Sequence, residues 1–136
     1  MKKIILISII AFLSLGMIQA QDVKQQSEPV NGAKIVFASL EHHYGTIRKG
    51  GDGTCVFEFV NEGNEPLILS SVRSSCGCTT PSWTKAPIMP GQKGQIRVRY
   101  DTNRVGGFMK TITIKSNSIE NPSIVLRIRG TVENPR

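Results

Sequence analysis

From Ile35 onward apolar residues recur at every second position, and Gly, Asn, Asp and Pro punctuate the runs. A period of two is the spacing of half-buried strands, not of helices. Ile35 and Phe37 open the pattern, and Cys55, Phe57 and Phe59 share one face of a strand whose other face carries Thr54, Val56, Glu58 and Val60. Asn61 to Pro66 reads as a turn, because Gly63 and Asn64 tolerate positive φ and Pro66 cannot donate to a central ladder. Leu67 to Val72 is predicted to return as the hairpin partner. Arg73 to Gln92 has Pro81, Pro87 and Pro90 and no alternation, which predicts a long loop with Trp83 as its hydrophobic anchor. Ile96, Val98 and Tyr100 restart the alternation with Arg97 and Arg99 opposite them. Ile112 and Ile114 mark another strand, and Ile124, Leu126, Ile128 and Val132 form an inward row with Val125, Arg127, Arg129 and Thr131 outward. About seven short strands with turn signals roughly every ten residues predict an all-β fold, a single antiparallel sandwich over residues 33–134.

The N-terminus has a different grammar. Met1-Lys2-Lys3 is a short cationic start, Ile4 to Ile18 is mostly apolar, and Ala20 is a small residue suited to a cleavage site. This is the layout of a secretory signal peptide over residues 1–20, and its apolar run of about fifteen residues is shorter than the roughly twenty of a membrane-spanning helix. No cysteine near the cut offers a lipid attachment point. The mature protein is expected to be soluble, in the periplasm or at the cell surface, with no transmembrane segment left. Residues 21–32 are polar and aperiodic and read as a flexible leader. Loss of Lys2 and Lys3 with the signal lowers the formal charge from +7 to +5, and all of the excess comes from Lys85 onward.

Several motifs then occur in a fixed order: Tyr44-Gly45-Thr46-Ile47, Phe57 to Gly63, Pro66-Leu67-Ile68-Leu69, Ser75-Cys76-Gly77-Cys78-Thr79, Ile88-Met89-Pro90-Gly91, Ile112 to Asn117, and Leu126 to Gly130. Together they closely resemble the bacterial domain-of-unknown-function family fifteen seventy-three, over about residues 34–133. The resemblance implies an immunoglobulin-like sandwich, similar in shape to hydin-type and major-sperm-protein-like domains. It implies no activity, since one fold of this kind hosts many unrelated roles.

Three cysteines in an oxidising compartment leave at least one unpaired unless a second chain or a metal takes it. If Leu67 to Val72 pairs with the Cys55 strand, Cys55 lies opposite about Val72, and Cys76 starts some 13 Å further on. A Cys55 bridge then requires the following loop to fold back, since bridged Cα atoms lie within about 7 Å. Cys55 alternatively packs as a small buried hydrophobe. Cys76 and Cys78 can meet across Gly77 in a small, strained ring, which suits redox chemistry. As thiolates they suit a soft ion such as Cu(I), with Met89 or Met109 and one of His42 and His43 as candidate further ligands.

Arg97, Arg99, Arg127 and Arg129 take outward positions on two strands and are a candidate anion-binding stripe, joined by Lys110 and Lys115. Outward basic residues also discourage edge pairing. Nucleic acid is not expected as a partner, because no aromatics interleave with these charges. No Ser, His and Asp set and no phosphate-binding Gly loop is present, so neither enzyme activity nor a cofactor is expected. Two functional readings follow. One is a secreted, non-enzymatic module that binds a protein or cell-envelope component through loops and sheet edges. The other is a thiol-based metal (copper-type) or redox protein centred on Cys76 and Cys78.

Overall fold

The computed structural model describes residues 31–136; the signal peptide read over 1–20 and most of the leader lie outside the described residues. All regular structure among them is strand: β1 (Ile35–Phe37), β2 (Glu41–Arg48), β3 (Thr54–Asn61), β4 (Leu69–Ser74), β5 (Thr79–Trp83), β6 (Lys93–Tyr100), β7 (Gly106–Ser116) and β8 (Ser123–Glu133). They form two four-stranded sheets, in the orders β1-β3-β6-β5 and β2-β8-β7-β4. The pairings are antiparallel except that of β2 with β8, which is parallel. No helix among the described residues is long and apolar enough to cross a membrane.

The inward rows meet as expected from alternation. Phe57 and Phe59 of β3 and Ile96 and Val98 of β6 face Ile112 and Ile114 of β7 and Leu126 and Ile128 of β8, all nearly inaccessible to solvent. An aromatic group closes one end, where Tyr100 stacks on Phe108 with ring centroids 3.7 Å apart and Tyr44 lies 5.7 Å from Phe108. Apolar burial of this kind is the main favourable term in folding.

Two expectations are corrected and two are refined. Leu67 to Val72 does not pair with β3: after the 61–66 turn the chain crosses to the other sheet, where β4 pairs with β7. The crossing is held by the Leu67 and Ile88 bridge, while β3 takes β1 and β6 as neighbours. Cys55 therefore pairs with Val98, not Val72. The stretch from Arg73 to Gln92 is not one loop, since it contains the end of β4 and all of β5. The strand count is eight, because β2 and β5 are edge strands without a clean apolar row. Gly32, assigned to the flexible leader, is already fixed by hydrogen bonds with Asn64.

Candidate functional site

Ser75 to Cys78 is the short connection that carries the chain from β4 in one sheet to β5 in the other. It is tied to both sheets: Ser75 N donates to Thr111 O at 2.9 Å, and Cys78 O accepts from Asp101 N at 2.8 Å. The Ser74 hydroxyl lies 2.7 Å from the carbonyl oxygens of both Cys76 and Thr79, which folds the turn back on itself. With the ends fixed, the Cα atoms of Cys76 and Cys78 are 5.3 Å apart and the two form a disulfide. Cys78 is buried, Cys76 is half-buried and Gly77 is exposed.

Loop-closure entropy for so short a ring stabilises the fold by only about 1.6 kcal/mol. The bridge therefore shapes the turn more than it staples the domain. Reducing it is expected to lower the melting temperature by less than about 10 °C, which calorimetry with and without a phosphine reductant measures.

Cys55 is unbridged and buried. Its thiol lies against Tyr44, whose hydroxyl donates to Gly53 O at 2.7 Å and so links β2 to the start of β3 across the sandwich. Burial pushes the Cys55 thiol and the Tyr100 hydroxyl up. Burial and then the neighbouring Cys55 push Tyr44 up further. Each group is neutral when protonated, so above about pH 9 the unfolded chain releases protons that the fold retains. Stability is expected to be full below that pH and to fall as pH rises through 9 to 11. Urea unfolding across this range measures the fall, and Tyr44→Phe with Cys55→Ala is expected to flatten it.

Beside the cystine turn lies an open groove of about 700 Å³ on the outer face of the β1-β3-β6-β5 sheet. Its floor follows from the register. Arg99 sits between Thr54 and Thr80, and Arg97 between Val56 and Ser82. These neighbours are short, so both guanidinium groups rise above them. Neither makes an ion pair among the described residues, whereas Arg129 pairs with Glu41 at 2.8 Å and Arg104 with Asp101 at 3.7 Å.

The Gly50 to Gly53 loop forms one wall. Gly50 N donates to Thr102 O at 3.1 Å, and the Thr102 hydroxyl donates to Gly51 O at 2.6 Å. Gly53 is needed for the close approach, since a Cβ there would strike Tyr100 O and come within 2.8 Å of Thr102 Cγ2. Asp52 stands on the rim, where its carboxylate accepts from Thr54 N at 2.9 Å. That bond first, then Arg99 and Arg97, hold its carboxyl below the usual range.

The remaining candidates are dispersed. Arg127 and Arg129 are on β8, in the other sheet, and point outward from the opposite side of the sandwich. The four arginines are thus two separate pairs, because alternation assigns in or out but not which sheet. Lys110 and Lys115 lie on β7, beside β8. His42 stands edge-on to Tyr44 at 4.5 Å, and His43 Nδ1 accepts from Gly45 N at 2.9 Å. Met89 and Met109 are exposed, Met89 between β5 and β6 and Met109 on β7 opposite Arg129. Among the described residues no three His, Cys, Asp or Glu side chains gather as a ligand set. Trp83 ends β5, packed partly on the core with the Lys85 ammonium 5.0 Å from its ring. The Gly50-Gly51-Asp52-Gly53 wall escaped sequence reasoning, although three glycines in four residues were its signal.

The model of a protein family described as "Protein of unknown function (DUF1573)" matches residues 35–132. The chain belongs to this family. Among curated proteins none matches the sequence. The DUF1573 chain is similar to a protein of unknown function from Porphyromonas gingivalis W83, with a TM-score of 0.66 and 19% identity. The match covers 81% of this chain and 51% of that one, so the chain spans about half the length of that relative. It is also similar to the ASH/PapD-like domain 7 of human CEP192, with a TM-score of 0.65, 9% identity, and 87% and 100% of the two chains covered. A chaperone-tip adhesion subunit pre-assembly complex, CsuC-CsuE of Acinetobacter baumannii, matches with a TM-score of 0.54, 12% identity, and 74% and 58% covered. At these identities the likeness establishes the sandwich fold alone.

Proposed function

We propose that this DUF1573 domain is an exported, non-enzymatic binding module that recognises its ligand through the groove beside Cys76-Gly77-Cys78. The observation that carries this is two guanidinium groups, Arg97 and Arg99, with no ion pair among the described residues, in a concave polar surface walled by a cystine turn and a glycine-rich loop. Such a surface binds, but it pairs no nucleophile with a base. Export is supported by the sequence of residues 1–20 and by the disulfide, which persists in oxidising compartments.

The sheet edges are poor alternatives. Thr84 N donates to Gln95 O, so by alternation Thr79, Pro81 and Trp83 face the free edge of β5, where Pro81 has no N–H to offer. β1 has three residues, β2 carries a bulge between His43 and Thr46, and β4 has an irregularity between Leu69 and Ser71. Short, bulged and proline-bearing edges resist added strands. Recognition of protein partners by this fold class is in keeping with the CsuC-CsuE complex, which pairs a chaperone with an adhesion subunit.

A photo-crosslinking residue in place of Ser82, in the groove, or of Val125, on the other sheet, tests the reading in producing cells. A discrete adduct from position 82 and none from 125 is the expected result. Adducts from position 125 alone, or from neither, would remove the groove from consideration.

A second reading rests on the half-buried Cys76 in its three-residue ring, from which exchange with an incoming thiol is feasible. Mass spectrometry after equilibration in glutathione buffers tests it. A bridge still fully oxidised in strongly reducing buffer excludes a redox role.

A further inference from the structure

We propose that the groove takes an extended acidic peptide with carboxylates at alternate positions, one on Arg99 and one on Arg97. This deepens the binding-module reading and rests on it. The argument begins with pitch. Arg97 and Arg99 are two residues apart on β6, which places their Cα atoms roughly 6.6 Å apart on one face. Alternate side chains of an extended peptide repeat at that same distance, so two acids at positions i and i+2 meet both guanidinium groups without distortion. Acids at i and i+1 point to opposite sides and engage only one.

The surroundings favour this ligand. Each planar guanidinium presents a rigid fork of donors suited to a carboxylate, and no carboxylate of the described residues already occupies it. Thr54, Thr80 and Ser82 add short hydroxyl groups along the same face, and Val56, 42% exposed, gives an apolar patch beside Arg97 for the methylene groups of the acidic side chain it holds. The negative groups nearby set limits. Asp101 is committed to Asn103 N and Arg104. Asp52, ionised on the rim beside Thr54, repels a third acid beyond Arg99, so the recognised unit holds two. Glu58 lies on the same face of β3 opposite Gln95, and repels an acid extending past Arg97 in the other direction.

The test is fluorescence anisotropy with labelled seven-residue peptides on the full mature domain in low salt. One peptide has Glu at positions 3 and 5, one at 3 and 4, and one has Gln at 3 and 5; an oligogalacturonate represents acidic glycans. The 3,5-diglutamate peptide is expected to bind best. Arg97→Gln and Arg99→Gln should each weaken it about five-fold, while Arg127→Gln is expected to change nothing. Arg97→Lys should fall between wild type and Arg97→Gln, because it keeps the charge and loses the fork. Circular dichroism establishes that each variant is folded. Equal binding of the Gln peptide, no preference for 3,5 over 3,4 spacing, or tight binding of the oligogalacturonate without the peptide would each overturn the proposal. Crosslinking at position 82 to a partner without acidic segments would overturn it too, while leaving the binding-module reading intact.

Discussion

Asn61→Ala lowers the unfolding free energy by about 3 to 5 kcal/mol, an expected loss of 15 °C or more in melting temperature. The side chain is fully buried and satisfies four backbone groups at once. Its Oδ1 accepts from Lys34 N at 3.2 Å and Gly63 N at 2.9 Å, and its Nδ2 donates to Glu65 O at 2.7 Å and Ile88 O at 2.9 Å. One amide thus joins the approach to β1, the 61–66 turn and the segment before β6. Alanine leaves Lys34 N, Gly63 N and Glu65 O without this partner while Ile88 O keeps Leu67 N as donor, and a buried unsatisfied group costs about 1 to 3 kcal/mol, with water relieving the outermost ones. Asn61→Asp is not expected to rescue the loss, because its second oxygen would face two carbonyl oxygens. Denaturant unfolding measures both, and a loss below about 1 kcal/mol for Asn61→Ala would show that the network is dispensable.

Gly94→Ala is expected to cost about 2 to 3 kcal/mol although it adds one methyl group. Gly94 pairs with Phe59 across β3 and β6, and the Phe59 ring occupies the space a side chain at 94 would need. A Cβ at 94 would collide with Phe59 Cζ, come within 2.8 Å of Cε2 and meet Ile88 Cδ1 at 3.0 Å. The ring cannot retreat easily, since it is buried and packs on Phe37 with centroids 5.3 Å apart. Phe59→Leu opens the space, so the double variant should be more stable than the two separate losses imply. Gly107→Ala is the control: it is also in a strand, nothing lies within 4 Å, and it is expected to be neutral or slightly stabilising. Strict additivity of Phe59→Leu and Gly94→Ala would contradict the packing argument.

What the sequence reveals and conceals has a physical logic. The rows on β3, β6 and β8 were legible because each strand is buried on one face, which forces period two. β5 was hidden because it is an edge strand with Pro81 at its centre, and β2 because its bulge at Gly45 breaks the period. The destination of β4 was hidden because a turn signal marks a change of direction and not the sheet to which the chain returns. The site divided in the same way. Arg97 and Arg99 were readable as outward, and Cys76 and Cys78 as able to meet. That β6 and β8 belong to different sheets, separating Arg97 and Arg99 from Arg127 and Arg129, is a property of topology. Asn61 looked like an ordinary turn residue, since nothing in its neighbours along the chain announces partners 27 residues away in both directions.

The claim that this sandwich acts through one groove is tested most directly by labelling arginine side chains with a dicarbonyl reagent. The protein would be labelled both in intact envelopes and after purification, and each site read by mass spectrometry. Marked protection of Arg97 and Arg99 in the envelope, with Arg127 labelled equally in both states, is the expected result. Equal labelling of Arg97 and Arg99 in the two states would contradict it.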